Sequence, residues 1–242
     1  MKKIILSSIL VILVILITLR YFRGPSGSIK ILKTNFYSGK TIKFLENAII
    51  LNPILIKNDP YKHKKEKKVS NPGTVCAVKF SPGKKHYKIS TFKSTEDAIK
   101  KNFRITHRGA CGTCSTLKDL AVYMKQRNLT TPVRKCSSMV AFKTRSINCL
   151  KKLGFTDSCA QTWYFNALNT ARQCLGVCLI SWLVNEPFNK KDGSLNKCLA
   201  CDEKKSGPIF QKTAGRIRRN SGLTTAIKRG KSEVYQLKHD YR

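Results

Sequence analysis

The stretch DSCAQTWYFNALNTARQCLGVC, Asp157 to Cys178, decides the architecture. Asp157 or Ser158 can cap a helix start, and Gly176 suits the left-handed position just after a helix end. Between them Ala160, Trp163, Tyr164, Ala167, Leu168, Ala171, Cys174 and Leu175 recur at helical spacing, which predicts one buried face. Cys159, Cys174 and Cys178 stand at or near the ends of this helix. The expectation is a central helix to which the rest of a domain is tied by sulfur. Trp163, Tyr164 and Phe165 are consecutive and cannot all face one way. Two are expected in the core, and the third lines a pocket with Asn166 and Asn169 or packs as well.

The rest of the sulfur points the same way. The cysteines are Cys76, Cys111, Cys114, Cys136, Cys149, Cys159, Cys174, Cys178, Cys198 and Cys201, all after residue 75. An even set confined to one region beyond a hydrophobic N-terminus reads as a disulfide framework in an oxidising space. Ten cysteines allow on the order of 900 complete pairings, so no connectivity follows. Asn128-Leu129-Thr130 is a glycosylation sequon, in keeping with that compartment.

That hydrophobic N-terminus is Ile4–Leu19, in which only Ser7, Ser8 and Thr18 are polar. Its core spans about 24 Å as a helix, a little short of a bilayer's roughly 30 Å. Lys3 and Arg20 can snorkel, and Tyr21 and Phe22 suit the interface. The reading is a signal-anchor over residues 1–23, with secretion after signal cleavage as the alternative. Residues 24–72 are then a basic linker that includes the lysine run Lys62–Lys68, and 73–242 form one cysteine-rich extracytoplasmic domain. The linker's Thr41–Leu51 carries an apolar-rich, helical pattern ended by Asn52-Pro53.

The chain has 242 residues, 41% hydrophobic, and a net charge of +34. About 170 residues beyond the linker suffice for a real core. Lysine outnumbers arginine 34 to 13. Such a surface attracts anionic lipid headgroups, acidic polysaccharide, acidic protein or nucleic acid. Nucleic acid is disfavoured, because no readout motif occurs and the anchor and cysteines direct the domain away from it.

Local signals fill in the domain. Val75–Ser81 and His86–Phe92 predict a hairpin. Ser94 caps a short helix, and Thr116 with Asp119 begins another over Thr116–Arg127. Ile147–Leu153 predicts a third, Leu179–Val184 a short strand, Pro208–Arg219 a helix closed by Gly222, and Glu233–Tyr241 a last strand. The fold class is therefore α+β, helix-dominated and disulfide-rich, with short strands near both ends.

Three places carry candidate chemistry. The loop from His107 to Ser115 runs into a helix N-terminus, where the dipole and Arg108 would lower a thiol's pKa. Its Cys111-Gly112-Thr113-Cys114 resembles the Cys-x-x-Cys of thioredoxin-like enzymes, without the preceding tryptophan. It is also similar to the Cys-Gly-Ser-Cys around the papain nucleophile, with Ser115 in place of the aromatic residue. The first resemblance implies thiol–disulfide exchange, the second a hydrolase with Cys114 as nucleophile. If the C-terminus returns beside this loop, Cys114, His239 and Asp240 form a nucleophile–base–orienter set. Cys198-Leu199-Ala200-Cys201 is a second such pair, and two pairs can hold zinc. No cofactor is expected, with zinc as a minor alternative to disulfides. Finally, Gly207-Pro208 opens a helix on which Arg216 and Arg219 share a face. Arginine in a lysine-rich chain suits bidentate carboxylate or phosphate recognition. Arg216, Arg218, Arg219, Arg108 and His107 are the candidate anion-binding residues. The leading expectation is a membrane-anchored binding or structural module for an anionic partner. The alternative is an extracytoplasmic thiol-dependent enzyme centred on Cys111 and Cys114.

Overall fold

The computed structural model describes residues 37–62 and 72–241. The Ile4–Leu19 segment and all of the lysine run beyond Lys62 lie outside them. Within the stretch expected to be linker, Ser38 caps helix α1, Gly39–Asn47, by accepting from the Thr41 amide. Strand β1, Ile49–Ile50, follows at once. Leu45 is fully buried in the main core, so this part of the expected linker belongs to the folded unit.

The hairpin forms as its alternation predicts, from β2, Val75–Phe80, and β3, His86–Phe92. Cys76 and Val78 face the main core, whereas Val75 and Ala77 face a small cluster with Phe92 and Ala98. Helix α2, Thr95–Lys100, supplies Ala98 and is capped by Ser94. A strand that was not foreseen, β4, Arg104–Arg108, then pairs antiparallel to β2. The sheet order is β1-β3-β2-β4, with β1 parallel to β3.

Helices cover the other side. They are α3, Leu117–Lys125, α4, Thr130–Ser137, α5, Lys143–Lys152, and α6, Asp157–Leu183. Two shorter ones complete the set, α7, Lys197–Lys205, and α8, Gly207–Ala214. The described residues are dominated by helices, with short strands, an α+β fold. Asp119 does more than start α3. It accepts from Thr116 Oγ1, and from the amide and hydroxyl of Thr156, the residue that precedes α6. One carboxylate thus fixes the beginnings of two helices.

The central helix departs from expectation at its far end. It runs through Gly176 to Leu183 and is capped by Val184, so Leu179–Val184 forms no strand. A mid-helix glycine costs only about 1 kcal/mol. Cys174 and Cys178, which flank it at i and i+4, are bonded to Cys201 and Cys198 of α7. These two rungs tie the helix to α7 on both sides of the glycine. The remaining bridges are Cys76–Cys111, Cys114–Cys159 and Cys136–Cys149. The ten cysteines form five disulfides and none is free. Such a set belongs to an oxidising, extracytoplasmic setting.

Two other expectations are corrected. The helix opened by Pro208 ends at Ala214, because Gly215 takes φ 71° and turns the chain. A Cβ there would collide with the Gly112 amide, and one on Gly112 would collide with the Thr213 carbonyl. This close crossing lets the Thr113 and Cys114 amides donate to Thr213 and Ala214. Glu233–Tyr241 forms no strand. It is an irregular segment whose His239 and Tyr241 are buried. Among the described residues no helix is long and apolar enough to cross a membrane.

Candidate functional site

The segments that carry the candidate residues converge. Strand β4, the 109–116 loop, the turn after α8 and the C-terminal segment meet around Arg216, whose side chain is completely buried. Its guanidinium donates to the carbonyls of Thr106, Cys114 and Ser115 and to Ser221 Oγ, at 2.9–3.3 Å. A planar fork is what satisfies several fixed carbonyls at once. Arg216 therefore does not offer an anion site on a helix face. Burial lowers its pKa, while the phenols of Tyr241 and Tyr123 and the Asp119 carboxylate oppose the shift.

His107 and His239 flank this arginine. His107 Nε2 lies 2.8 Å from Ser115 Oγ and Nδ1 lies 3.0 Å from the Arg108 carbonyl. Ser115 Oγ also accepts from the Gly112 amide. The consistent assignment is a neutral ring with hydrogen on Nδ1, accepting the serine hydroxyl at Nε2. Burial, then the charge of Arg216, holds the His107 pKa well below 6.5. His239 is bonded to the Tyr241 hydroxyl and the Ser221 carbonyl. Burial and Arg216 bring it down to about 4. Asp119 is pushed up to about 6 by burial, against its threonine and amide donors and Arg216.

A serine and a histidine in contact form a nucleophile–base pair only where a substrate can reach them. Here Ser115 and His107 are both fully buried. The expected set of Cys114, His239 and Asp240 is corrected as well. The C-terminus does return beside the loop, since His239 and Cys114 both reach the Arg216 network. Yet the Cys114 sulfur is bonded to Cys159, and His239 is spent on Tyr241 and Ser221. Asp240 is exposed, and its carbonyl accepts from Arg104. Cys111 is bonded to Cys76. Neither Cys-x-x-Cys pair closes on itself or leaves thiolates for zinc. Among the described residues no group of His, Cys, Asp and Glu is placed to hold a metal.

Arg218 also turns inward. It donates to the carbonyls of Thr224 and Gln126, with its guanidinium 5.4 Å from the Tyr123 ring centre. Burial brings its pKa down to about 10. Of the five candidate anion residues, Arg108 and Arg219 remain at the surface, and they line one groove. With Gln211, Ile217, Ser232, Glu233 and Tyr235 it encloses about 610 Å³. The Arg108 guanidinium lies 5.8 Å from the Tyr235 ring centre, and its Nε donates to Pro72. Arg219 sits 3.9 Å from Glu203 and 3.7 Å from Glu233. Arg108 has no carboxylate partner among the described residues.

Residues 143–237 match a family of unknown function, DUF8771. No curated protein and no solved structure matches the chain. The matched part begins at α5 and contains α6–α8 and most of the groove. It leaves out the hairpin, β4 and the 107–115 loop. The polar centre around Arg216 thus combines residues within and outside the similar region.

Sequence reasoning found the loop, the arginines and His239 but missed Ser115, Asp119, Ser221 and Tyr241 as members of the same centre. The partners of Arg216 come from positions 106 to 221, and no local pattern connects them. Asp119 looked like a capping residue, and its reach to Thr156 depends on how α3 meets α6.

Proposed function

We propose that this chain is a membrane-anchored, disulfide-braced extracytoplasmic module that binds an anionic partner. The observation that carries this reading is the contrast between a closed interior and a cationic exterior. The cysteines are bonded, His107 and His239 are neutral and enclosed, and Asp119 is engaged. The net charge nevertheless stands at +34. Several surface carboxylates are already paired, Glu46 with Lys125, Asp157 with Lys151, and Glu203 with Arg229. An anionic partner relieves the self-repulsion of that surface. The groove of Arg108 and Arg219 supplies guanidinium forks beside an aromatic ring. Ile4–Leu19 supplies the anchor, or a signal segment if it is removed.

The test is binding of inorganic polyphosphate to the full chain in mild detergent, at low and at physiological salt. Binding is expected in both, weaker at physiological salt. Arg108→Lys keeps the charge but loses the planar fork, and is expected to weaken binding about threefold or more. A chain that binds no polyphosphate even at low salt refutes the reading. A silent Arg108→Lys removes the groove from it.

A further inference from the structure

Among the described residues, the last turns of α6 leave most of their circumference exposed. Leu175 is 64% exposed, Ile180 62% and Val184 66%, with Val177, Leu179 and Leu183 exposed beside them. At 100° per residue these positions and Gly176 sweep an unbroken arc of about 200°. The opposite side, Cys174, Cys178 and Ser181, is turned to α7 and fixed there by two disulfides. From Gln173 to Asn185 no residue is charged, although 25% of the chain is. Isolated apolar residues on a surface need no explanation, but a contiguous arc rimmed by charge marks an interaction face.

The rim identifies the partner. Arg172 lies at one end of the arc, and Lys190 and Lys191 lie in the turn beyond the other. On the neighbouring α7, Lys197, Lys204 and Lys205 are exposed. The acids of the same helix are taken up elsewhere. Asp202 accepts from Thr170 and Asn166, and Glu203 is paired with Arg229. Glu186 folds back onto Ser181. An apolar arc with a cationic border matches a bilayer interface whose headgroups are anionic. Trp182, three residues after Leu179 and seven after Leu175, borders the arc where an interfacial tryptophan belongs. A second copy of the chain is the poorer occupant, because it would press two cationic rims together. The free segment, about 20 Å long, is too short to span a bilayer but long enough to lie in its surface.

We infer that the C-terminal half of α6 is a membrane-docking face that inserts its apolar arc into the interface of an anionic lipid bilayer. This rests on the anionic-partner reading and names the partner.

The experiment uses the full chain in phosphatidylcholine vesicles with about a third phosphatidylserine, the lipids brominated on their acyl chains. Bromine quenches a nearby indole. The chain has two tryptophans, and Trp163 is packed inside the domain between Phe155 and Phe210. Trp182 is therefore the reporter, and Trp182→Phe gives the background. Strong quenching is expected in the anionic vesicles and weaker quenching in phosphatidylcholine alone. The double variant Leu179→Gln with Ile180→Gln leaves the charge unchanged and is expected to reduce quenching about tenfold. Leu175→Gln with Val184→Gln on the same arc repeats the test should the first pair disturb the fold. Polyphosphate binding should be the same in all of them. Unquenched Trp182 in a chain that still binds polyphosphate overturns the docking face and leaves the broader reading standing. Failure of both overturns both. Quenching unchanged in the variants, together with loss of a dimer in sedimentation, overturns the lipid face in favour of self-association.

Discussion

Up to Thr170, α6 is held by what it touches, and beyond Ala171 by what it is bonded to. In the first half Trp163 packs on Phe155 and Phe210, with ring centres 6.0 and 4.5 Å away. Thr162 meets Thr113 at 2.7 Å, and Asn166, Asn169 and Thr170 tie the helix to Tyr61, Asp202 and Ser206. One disulfide, Cys114–Cys159, stands at its start. In the second half the exposed residues have no core to enter, and Cys174–Cys201 and Cys178–Cys198 supply the order instead. Crosslinks limit the unfolded chain without requiring burial, so an element can stay apolar, exposed and helical together. The comparison explains why the molecule can carry a bare apolar face.

The comparison is sharpest at Arg216, on which the packed region depends. Arg216→Met leaves the carbonyls of Thr106, Cys114 and Ser115 buried without donors, and is expected to destabilise by about 5 kcal/mol in denaturant unfolding. A midpoint close to the parent's would mean that water fills the guanidinium's place. Trp163→Ala removes the ring between Phe155 and Phe210 and is expected to cost about 4 kcal/mol. Both variants should unfold the first half of α6 together with the sheet.

The sulfur-held half should respond differently. Cys174→Ser with Cys201→Ser opens the outer rung while Cys178–Cys198 still closes nearly the same loop. The expected loss is about 2 kcal/mol, below that of a lone disulfide. Hydrogen exchange should quicken between Arg172 and Val184 and stay unchanged around Trp163. Equal quickening in both halves would mean that α6 behaves as one cooperative unit and that the distinction drawn above is false.

The smallest effect is that of pH. His107 and His239 have folded pKa values depressed from 6.5, His239 to about 4. The unfolded state therefore binds more protons there, and stability rises with pH up to about 6.5. Asp119, raised from 3.8 to about 6, acts in reverse, and its term falls as pH rises through that range. Asp202, whose carboxyl is also raised by burial, opposes the histidines as well, so the net slope between roughly pH 4 and 6 is shallow, below about 1.4 kcal/mol per pH unit. Asp119→Asn should steepen that slope by up to about 1.4 kcal/mol per pH unit, whatever it does to overall stability. Unfolding midpoints across this range, parent against variant, read it directly. The stretch from Gln173 to Asn185 has no titrating group, and its local exchange protection should not follow the same curve.

Much of the plan was legible locally. The alternation of Val75–Phe80 and His86–Phe92 implied the hairpin, because a half-buried strand must alternate. Ser94 and Thr116 announced their helices, because the first amides of a helix need an acceptor. The even cysteine count implied disulfides, and the apolar stripe of Asp157–Leu175 implied the central helix. Pairing was not legible, since sulfur bonds whatever the fold brings near. The end of α6 was misread for the same reason. Gly176 is a stop signal by local conformational freedom, and two bridges to a helix twenty residues further on overrule it. The arginines show the limit most clearly. Residues 216, 218 and 219 look alike in sequence, a basic run suited to anions. Arg216 is sealed in the interior, Arg218 bends inward over Tyr123, and Arg219 borders the groove. Their separate roles are set by Gly215, whose positive φ ends α8 and sends Arg216 toward carbonyls contributed by β4 and the 109–116 loop. The sequence by itself determined composition, compartment and most helices, because those depend on neighbours along the chain. Which cation is buried, which sulfur is spent and which apolar face is left bare depend on neighbours in space, and the tertiary structure decided them.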